Sequence, residues 1–313
     1  MSTTVVSIDI ILIEFANTNI FFQTNYTLST DKTIGLFGTE QISGSYLSKI
    51  LILIVGYLFF QKKQIKLKIA NIVYGLIVLA GIISIIITDE RRAILEIIVA
   101  LIILNLIFFN KKKFFLSFLI LVIMGAFIFV NPNLKEKIIY KSLSQLGLNQ
   151  NFTDSEKTLR SFQFGILYEK NSITSNQYYA MYKTSYNIWL DNKIFGGGNK
   201  SYRKLCNNPK FQYDDYYSKI RCNTHPHSIY LQVLAEFGIV GLTLFMFLIS
   251  LIIVKSFLYM NNSIILSSLV LLLCLLVPLP SGNIFSTWIG SIFWLNFGIL
   301  LNASKSKNKR EIK

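Results

Sequence analysis

Charged residues are scarce in this sequence, at 15% of its 313 residues, and they lie between long apolar runs. A soluble domain of this length carries far more charge, so the scarcity excludes an ordinary soluble domain and favours a membrane protein. The net charge of +15 raises the question of nucleic-acid binding. No basic segment outside the apolar runs carries interleaved stacking aromatics, so we expect no nucleic-acid partner.

Other common features are also missing. The apolar run Val5–Ala16 has no basic residue before it and contains Asp9 and Glu14, so it does not match a cleavable signal peptide. No internal repeat is visible, and no charge lies clearly at the middle of an apolar run. Both absences argue against a transporter or flippase component, which is kept as the alternative from another functional class.

What the sequence does contain is apolar runs close to the length of about 20 residues that crosses a bilayer. They predict an all-α polytopic membrane protein with about seven transmembrane helices and one large loop between the fourth and the fifth. The runs are Gly44–Phe60, Ile69–Ile87, Ala93–Phe109, Phe114–Val130, Gly238–Met260, Ser263–Leu279 and Ile284–Leu301.

Lysine-rich clusters indicate the orientation of these helices. Segments 62–68, 111–113 and 305–313 are basic, and counting helices puts all three on one side of the membrane. The positive-inside rule makes that side the cytoplasm, so the large loop lies on the opposite face. We therefore divide the chain into an N-terminal segment 1–46, a four-helix region 47–130, an outer loop 131–227, a surface helix with three membrane helices 228–301, and a cytoplasmic tail 302–313.

Arginines are sorted to the predicted outer side, in contrast to the lysines. An arginine grips phosphate with a rigid fork, so an outer cluster suits a diphosphate-linked lipid head group. Arg91 and Arg92 lie in a short turn at head-group depth, where pairing with Asp89 and Glu90 is the structural alternative. The outer arginines are Arg91, Arg92, Arg160, Arg203 and Arg221.

The two histidines of the sequence, His225 and His227, lie just before a predicted membrane helix. Ser228 is placed to cap a short surface helix, Gly238 to end it, and Gly241 to let the next helix pack closely. This layout puts His227 at the outer membrane face. Histidine has a pKa near working pH and suits general acid–base chemistry, although a structural histidine at a helix start is the alternative.

Cys206 and Cys222 lie together in the polar loop, shortly before the histidines. The predicted outer compartment is oxidising, so we expect a disulfide that holds His225 and His227 in place. The same four side chains are ligand types for zinc, which is the alternative.

The pattern His227-Ser228, nine residues, then Gly238-x-x-Gly241 resembles the signature of O-antigen ligases and O-antigen polymerases. Three further segments resemble the same family in the same order. They are the segment 35–47, the turn 88–93 with its arginines, and the segment 191–198, in which Lys193 replaces a family proline. The family often carries an arginine near Tyr178–Tyr182 that is absent here, and its members have more helices at the N-terminal side.

The resemblance implies a metal-independent glycosyltransferase without a cofactor, in the inner membrane of a bacterium, with its loop in the periplasm. The donor would be a glycan on undecaprenyl pyrophosphate. The acceptor would be the lipid A core or a growing glycan in lipopolysaccharide or surface polysaccharide synthesis. His227 and Arg92 would be catalytic, and an inactive fragment of such a ligase is the other alternative. The expected substrate-binding residues are Arg91, Arg160, Arg203, Arg221 and His225.

Overall fold

The computed structural model describes residues 2–21, 35–37, 42–60, 68–107, 111–135, 177–211, 221–259, 261–276, 281–285 and 288–311. All regular elements in these ranges are helical, so the prediction of an all-α chain is confirmed for them. The helices are α1 Ser2–Ala16, α2 Ser43–Phe60, α3 Lys68–Ile87, α4 Arg91–Ile107, α5 Lys111–Val130, α6 Pro132–Lys135, α7 Gln177–Asp191, α8 Ser201–Leu205, α9 Ile229–Leu258, α10 Asn262–Cys274 and α11 Trp288–Glu311.

Helix α9 is the element that, in the described part of the chain, is long and apolar enough to cross a membrane. Shorter apolar stretches lie within α2, α3, α5, α10 and α11. Each predicted span overlaps one of the helices α2 to α5 or α9 to α11. The number of spans and their orientation nevertheless stay predictions.

Two predicted spans have different bounds in the structure. Helix α10 ends at Cys274 rather than at Leu279. Pro278 and Pro280 follow in the sequence, and proline has no backbone N–H with which to continue a helix. Helix α11 begins at Trp288 rather than at Ile284, and the carbonyl of Ile284 instead accepts a hydrogen bond from the Trp294 indole at 2.9 Å.

The chain forms two compact units, each described here by itself. The first contains residues 1–127, 249–279 and 284–313. Within it α2 packs against α3, α4 and α10, α1 packs against α3, and α10 packs against α11. Glycines allow close approach on α2 and α3, since a Cβ at Gly81 would lie 2.6 Å from the Leu51 side chain. The first unit is therefore a helix bundle centred on α2.

The second unit contains residues 128–248 and 280–283, and it holds both histidines. Its small core is formed by the packing of α7 and α8 with the first half of α9. The buried side chains of this core are Met181, Ile188, Tyr202, Cys206, Phe211 and Ala235.

Candidate functional site

A disulfide lies at the edge of the core of the second unit. Cys206 and Cys222 are bonded, with 5.3 Å between their Cα atoms and a separation of 16 in sequence. Cys206 is buried in the core, so the bond attaches the segment that begins at Cys222 to that core. This segment leads directly to His225 and His227.

The imidazoles of His225 and His227 lie side by side, with ring centroids 4.3 Å apart. Tyr178 on α7 meets the His227 ring edge-on at 5.6 Å and lies 6.4 Å from the ring of Tyr182. The Tyr182 hydroxyl lies 3.5 Å from the His227 carbonyl. Tyr178 and Tyr182 of α7 thus lie beside the histidines. Because these residues are far apart in sequence, the contact could not be predicted.

Hydrogen bonds define which nitrogen of His227 can accept a proton. The side-chain oxygen of Asn223 accepts from the Thr224 backbone N–H at 2.7 Å, which orients the amide. Its nitrogen then faces Nε2 of His227 at 3.0 Å and donates to it. This assignment places the lone pair on Nε2 and the proton on Nδ1.

Both histidines are held in the neutral form. Burial first, and the adjacent His225 second, lower the pKa of His227 to about 4. Burial also lowers the pKa of His225, against an opposing hydrogen bond with the Ser281 backbone. At neutral pH Nε2 of His227 is therefore unprotonated, and its lone pair accepts from Asn223.

Two hydrogen bonds with Ser281 hold the backbone around His227. The Ser281 N–H donates to the His227 carbonyl, and the Ser281 hydroxyl accepts from the Ile229 N–H, each at 2.7 Å. His227 has a φ of 54°, a left-handed conformation that costs energy in a residue other than glycine. Ser228 caps the helix that follows, since its hydroxyl accepts from the Leu231 N–H at 3.4 Å.

Helix α9 is broken at Gly238, which has φ 65° and ψ −161°. A break of this kind leaves backbone groups on both sides without helical partners. On the N-terminal side, the carbonyls of Ala235 and Glu236 accept from the N–H groups of Gly197 and Gly198 at 2.8 and 2.9 Å. Two amides of the glycine-rich segment are thus used by the helix.

The C-terminal side of the break is completed in the same way. The N–H groups of Ile239 and Val240 donate to the carbonyls of Lys193 and Ile194 at 2.9 and 3.2 Å. A Cβ at Gly196 would lie 2.5 Å from the backbone at the break, so only glycine allows this approach. We call this backbone pairing of residues 193–198 with residues 235–240 the glycine joint.

Gly241 has a different neighbour from the one expected. A side chain there would collide with Phe237, one turn earlier in the same helix. The glycine therefore makes room for Phe237 at the break, whereas the sequence suggested close packing of the following helix as a whole.

The loop arginines occupy unequal positions. Arg203 is exposed on α8, whereas Arg221 is only 3% exposed and donates from Nη2 to the Asn207 carbonyl at 3.1 Å. Burial raises the pKa of Tyr202, whose protonated hydroxyl donates to the Arg221 carbonyl. Arg203 is thus accessible to a ligand, and Arg221 is enclosed by the core. Arg160 lies outside the described residues.

Arg91 and Arg92 belong to the first unit, at the start of α4. Arg92 is only 12% exposed, and its Nε donates to a Glu96 oxygen at 2.7 Å. Its Nη2 donates to the carbonyls of Leu273 and Cys274, at 3.0 and 3.1 Å, at the end of α10. Much of this guanidinium therefore connects α4 to α10.

Arg92 belongs to a buried charge cluster, which we define as Lys49, Arg92 and Glu96. Lys49 and Glu96 were not predicted as site residues. Lys49 and Glu96 are fully buried and their charged atoms lie 2.8 Å apart. The Ser48 hydroxyl donates to the same carboxylate at 2.6 Å. A lysine six positions into α2 was the available signal, because ionisable residues inside membrane helices are rare and have a role.

Glu90 also makes a contact that was not predicted. Its two carboxylate oxygens accept from the N–H groups of Gly44 and Ser45, at 2.7 and 2.8 Å. An acidic side chain at the first turn of a helix stabilises it, so Glu90 caps α2.

Among the residues that the structure describes, no three His, Cys, Asp or Glu side chains are grouped to hold a metal ion. The zinc alternative for the cysteines and histidines therefore has no support there.

The chain matches, over residues 75–246, a family model described as O-antigen ligase. This match covers more than half of the chain and includes the arginine turn, the glycine-rich segment and both histidines. None of the curated proteins compared with the chain matches it.

Proposed function

This chain belongs to the O-antigen ligase family, and on that premise we propose that it transfers a glycan from undecaprenyl pyrophosphate to an acceptor sugar hydroxyl. The reaction takes place at the periplasmic face of a bacterial inner membrane, which the chain crosses about seven times with its C-terminus in the cytoplasm. The products serve lipopolysaccharide or surface polysaccharide synthesis. The acceptor is the lipid A core or a growing glycan.

The proposed reaction has one bond-forming and one bond-breaking event. The acceptor oxygen attacks the anomeric carbon of the donor glycan, and the bond from that carbon to the pyrophosphate oxygen breaks. The acceptor proton moves to Nε2 of His227, and undecaprenyl pyrophosphate leaves with the electron pair. Pyrophosphate is a good leaving group, so the proposal requires no metal and no cofactor.

The observation that carries this proposal is the state of His227. A general base must be unprotonated and must present a lone pair to the substrate. Burial lowers the pKa of His227 to about 4, and the bond from Asn223 assigns the lone pair to Nε2. An acceptor hydroxyl would take the position of the Asn223 amide and donate to the same nitrogen. His225, whose ring is adjacent, would contact the substrate.

Charge on the leaving pyrophosphate needs cationic or N–H donors. We assign this role to Arg91, Arg92, Arg160, Arg203 and Arg221. Arg203 has the clearest support, because it is exposed in the same unit as His227. Arg92 would act from the start of α4 in the first unit, and Arg221 would have to act from within the core.

Complementation of a strain that lacks this gene tests the proposal. We expect His227→Asn to abolish the glycan ladder, because asparagine fills a similar volume and cannot accept the proton. Lys210→Gln is the matched control, since Lys210 is 59% exposed in the same unit and its pair with Asp191 contributes about 1 kcal/mol at most. Immunoblots establish equal amounts of both variants. A full ladder from His227→Asn at normal protein level would end the assignment of His227 as the base.

A further inference from the structure

Two large apolar side chains are exposed at the turn between α7 and α8. Ile194 is 59% exposed and Phe195 is 74% exposed. Isolated exposed apolar residues are ordinary, whereas adjacent ones form a small apolar patch. We call the pair the apolar tip.

The glycine joint fixes the position of the apolar tip along α9. The carbonyls of Lys193 and Ile194 accept from Ile239 and Val240, the first residues after the break. From Ile239 to the end of α9 at Leu258 the chain has the length of about 20 residues that crosses a bilayer. The apolar tip is therefore bonded to the first turn of the segment that enters the membrane.

The apolar surface continues from the tip onto the residues on both sides of the break. Phe237, Ile239 and Val240 are 36%, 45% and 40% exposed. In a helix that enters a bilayer, such side chains face lipid. The tip adds two further exposed apolar side chains next to this break.

The residues around the tip have the chemistry of a membrane interface. Lys193 and Lys200 are exposed on either side of it. The Trp189 indole, partly exposed, donates to the Lys193 carbonyl at 3.0 Å, and Tyr186 is 39% exposed on the same helix. Tryptophan, tyrosine and lysine concentrate where acyl chains meet head groups, and lysines attract anionic lipids.

We propose that Ile194 and Phe195 insert into the bilayer leaflet at which the membrane segment of α9 begins, with Lys193 and Lys200 on anionic head groups. The partner is the phospholipid surface. The inserted tip holds the glycine joint at a set depth, and through it the first half of α9, whose start follows directly on His227. This inference requires a membrane but does not depend on the proposed glycan transfer.

Quenching of a fluorescent reporter tests the insertion in the full chain. An environment-sensitive fluorescent amino acid replaces Phe195, and the protein is placed in nanodiscs of phosphatidylethanolamine and phosphatidylglycerol. We expect lipids with a nitroxide on the acyl chain to quench it several-fold more efficiently than aqueous iodide does. The same amino acid at position 210, where Lys210 is exposed, provides a second reading from the same unit.

Substitution sharpens the test. With the reporter at position 194, Phe195→Leu should preserve quenching from the lipid, and Phe195→Asp should abolish it and admit iodide. Because Phe195 is mostly exposed, neither variant removes a core contact, and thermal unfolding checks this. Efficient iodide quenching at 195 in the parent protein would overturn the proposal. Protection from iodide that appears only when a lipid-linked glycan is added would also overturn it, and would make the tip a sugar-binding surface.

Discussion

The two units stabilise their buried polar groups in different ways. In the first, Lys49 and Arg92 each form a short ion pair with the carboxylate of Glu96. In the second, His225 and His227 lie ring to ring and are kept neutral by burial. The comparison separates two roles. The buried ion pairs join helices of the first unit, whereas the neutral histidines of the second unit are the groups to which we assign the chemistry.

The largest loss of stability is expected when the carboxylate of Glu96, which Lys49 and Arg92 share, is removed. Glu96→Gln leaves Lys49 and Arg92 buried without the carboxylate that both contact, and losing one member of a buried ion pair costs about 3–5 kcal/mol. Lys49→Met keeps the pair of Glu96 with Arg92 and should cost clearly less. Thermal unfolding of the full chain in detergent compares them. Equal losses from the two variants would show that the pair of Glu96 with Arg92 adds nothing to the stability of the first unit.

Removing the disulfide should have the next largest effect, and it acts on the second unit. Replacing both Cys206 and Cys222 by serine frees a loop of about 17 residues, whose closure contributes about 3 kcal/mol. The segment that carries the histidines then loses its attachment to the core, so transfer activity should fall together with stability. Denaturant unfolding and a ladder assay measure both. Unchanged activity in a destabilised protein would separate the disulfide from the histidine site.

Much of the second unit could be predicted from residue types and spacing. Ser228 caps a helix and Gly238 interrupts it. Both effects depend only on local backbone geometry, which the residue type largely determines, so both could be predicted. A disulfide could be expected because Cys206 and Cys222 share a loop that was predicted to lie on the oxidising side. The glycines of segment 191–198 were recognised by resemblance, but their pairing with α9 could not be foreseen, since it joins positions about 40 residues apart.

The first unit was less predictable for the same physical reason. The run of residues that includes Lys49 has the composition of a membrane helix, and nothing local indicates that Glu96, 47 positions away, contacts it. Arg92 was interpreted as a phosphate ligand from its place in a turn. Its contacts with the carbonyls at the end of α10 lie more than 180 positions away in the chain. Such packing follows from the arrangement of helices, which residue patterns alone do not encode.

A smaller effect is expected within the histidine pair. His225→Asn removes the second cause of the low pKa of His227 and leaves burial, the larger cause, in place. The pKa of His227 should therefore rise but stay below its ordinary value of about 6.5. NMR titration of imidazole-labelled protein in detergent measures it. A rise to the ordinary value would show that His225, rather than burial, controls the site.

The pH dependence of kcat/KM for the purified protein tests the central claim most directly, because its acid limb reports the essential base of the free enzyme. A base whose pKa is lowered loses activity only as pH falls through that lowered value. We predict that activity persists through pH 6 and declines near pH 4, where His227 gains a proton. An acid limb near the ordinary histidine pKa of about 6.5 would contradict the account, as would the same acid limb in His227→Asn.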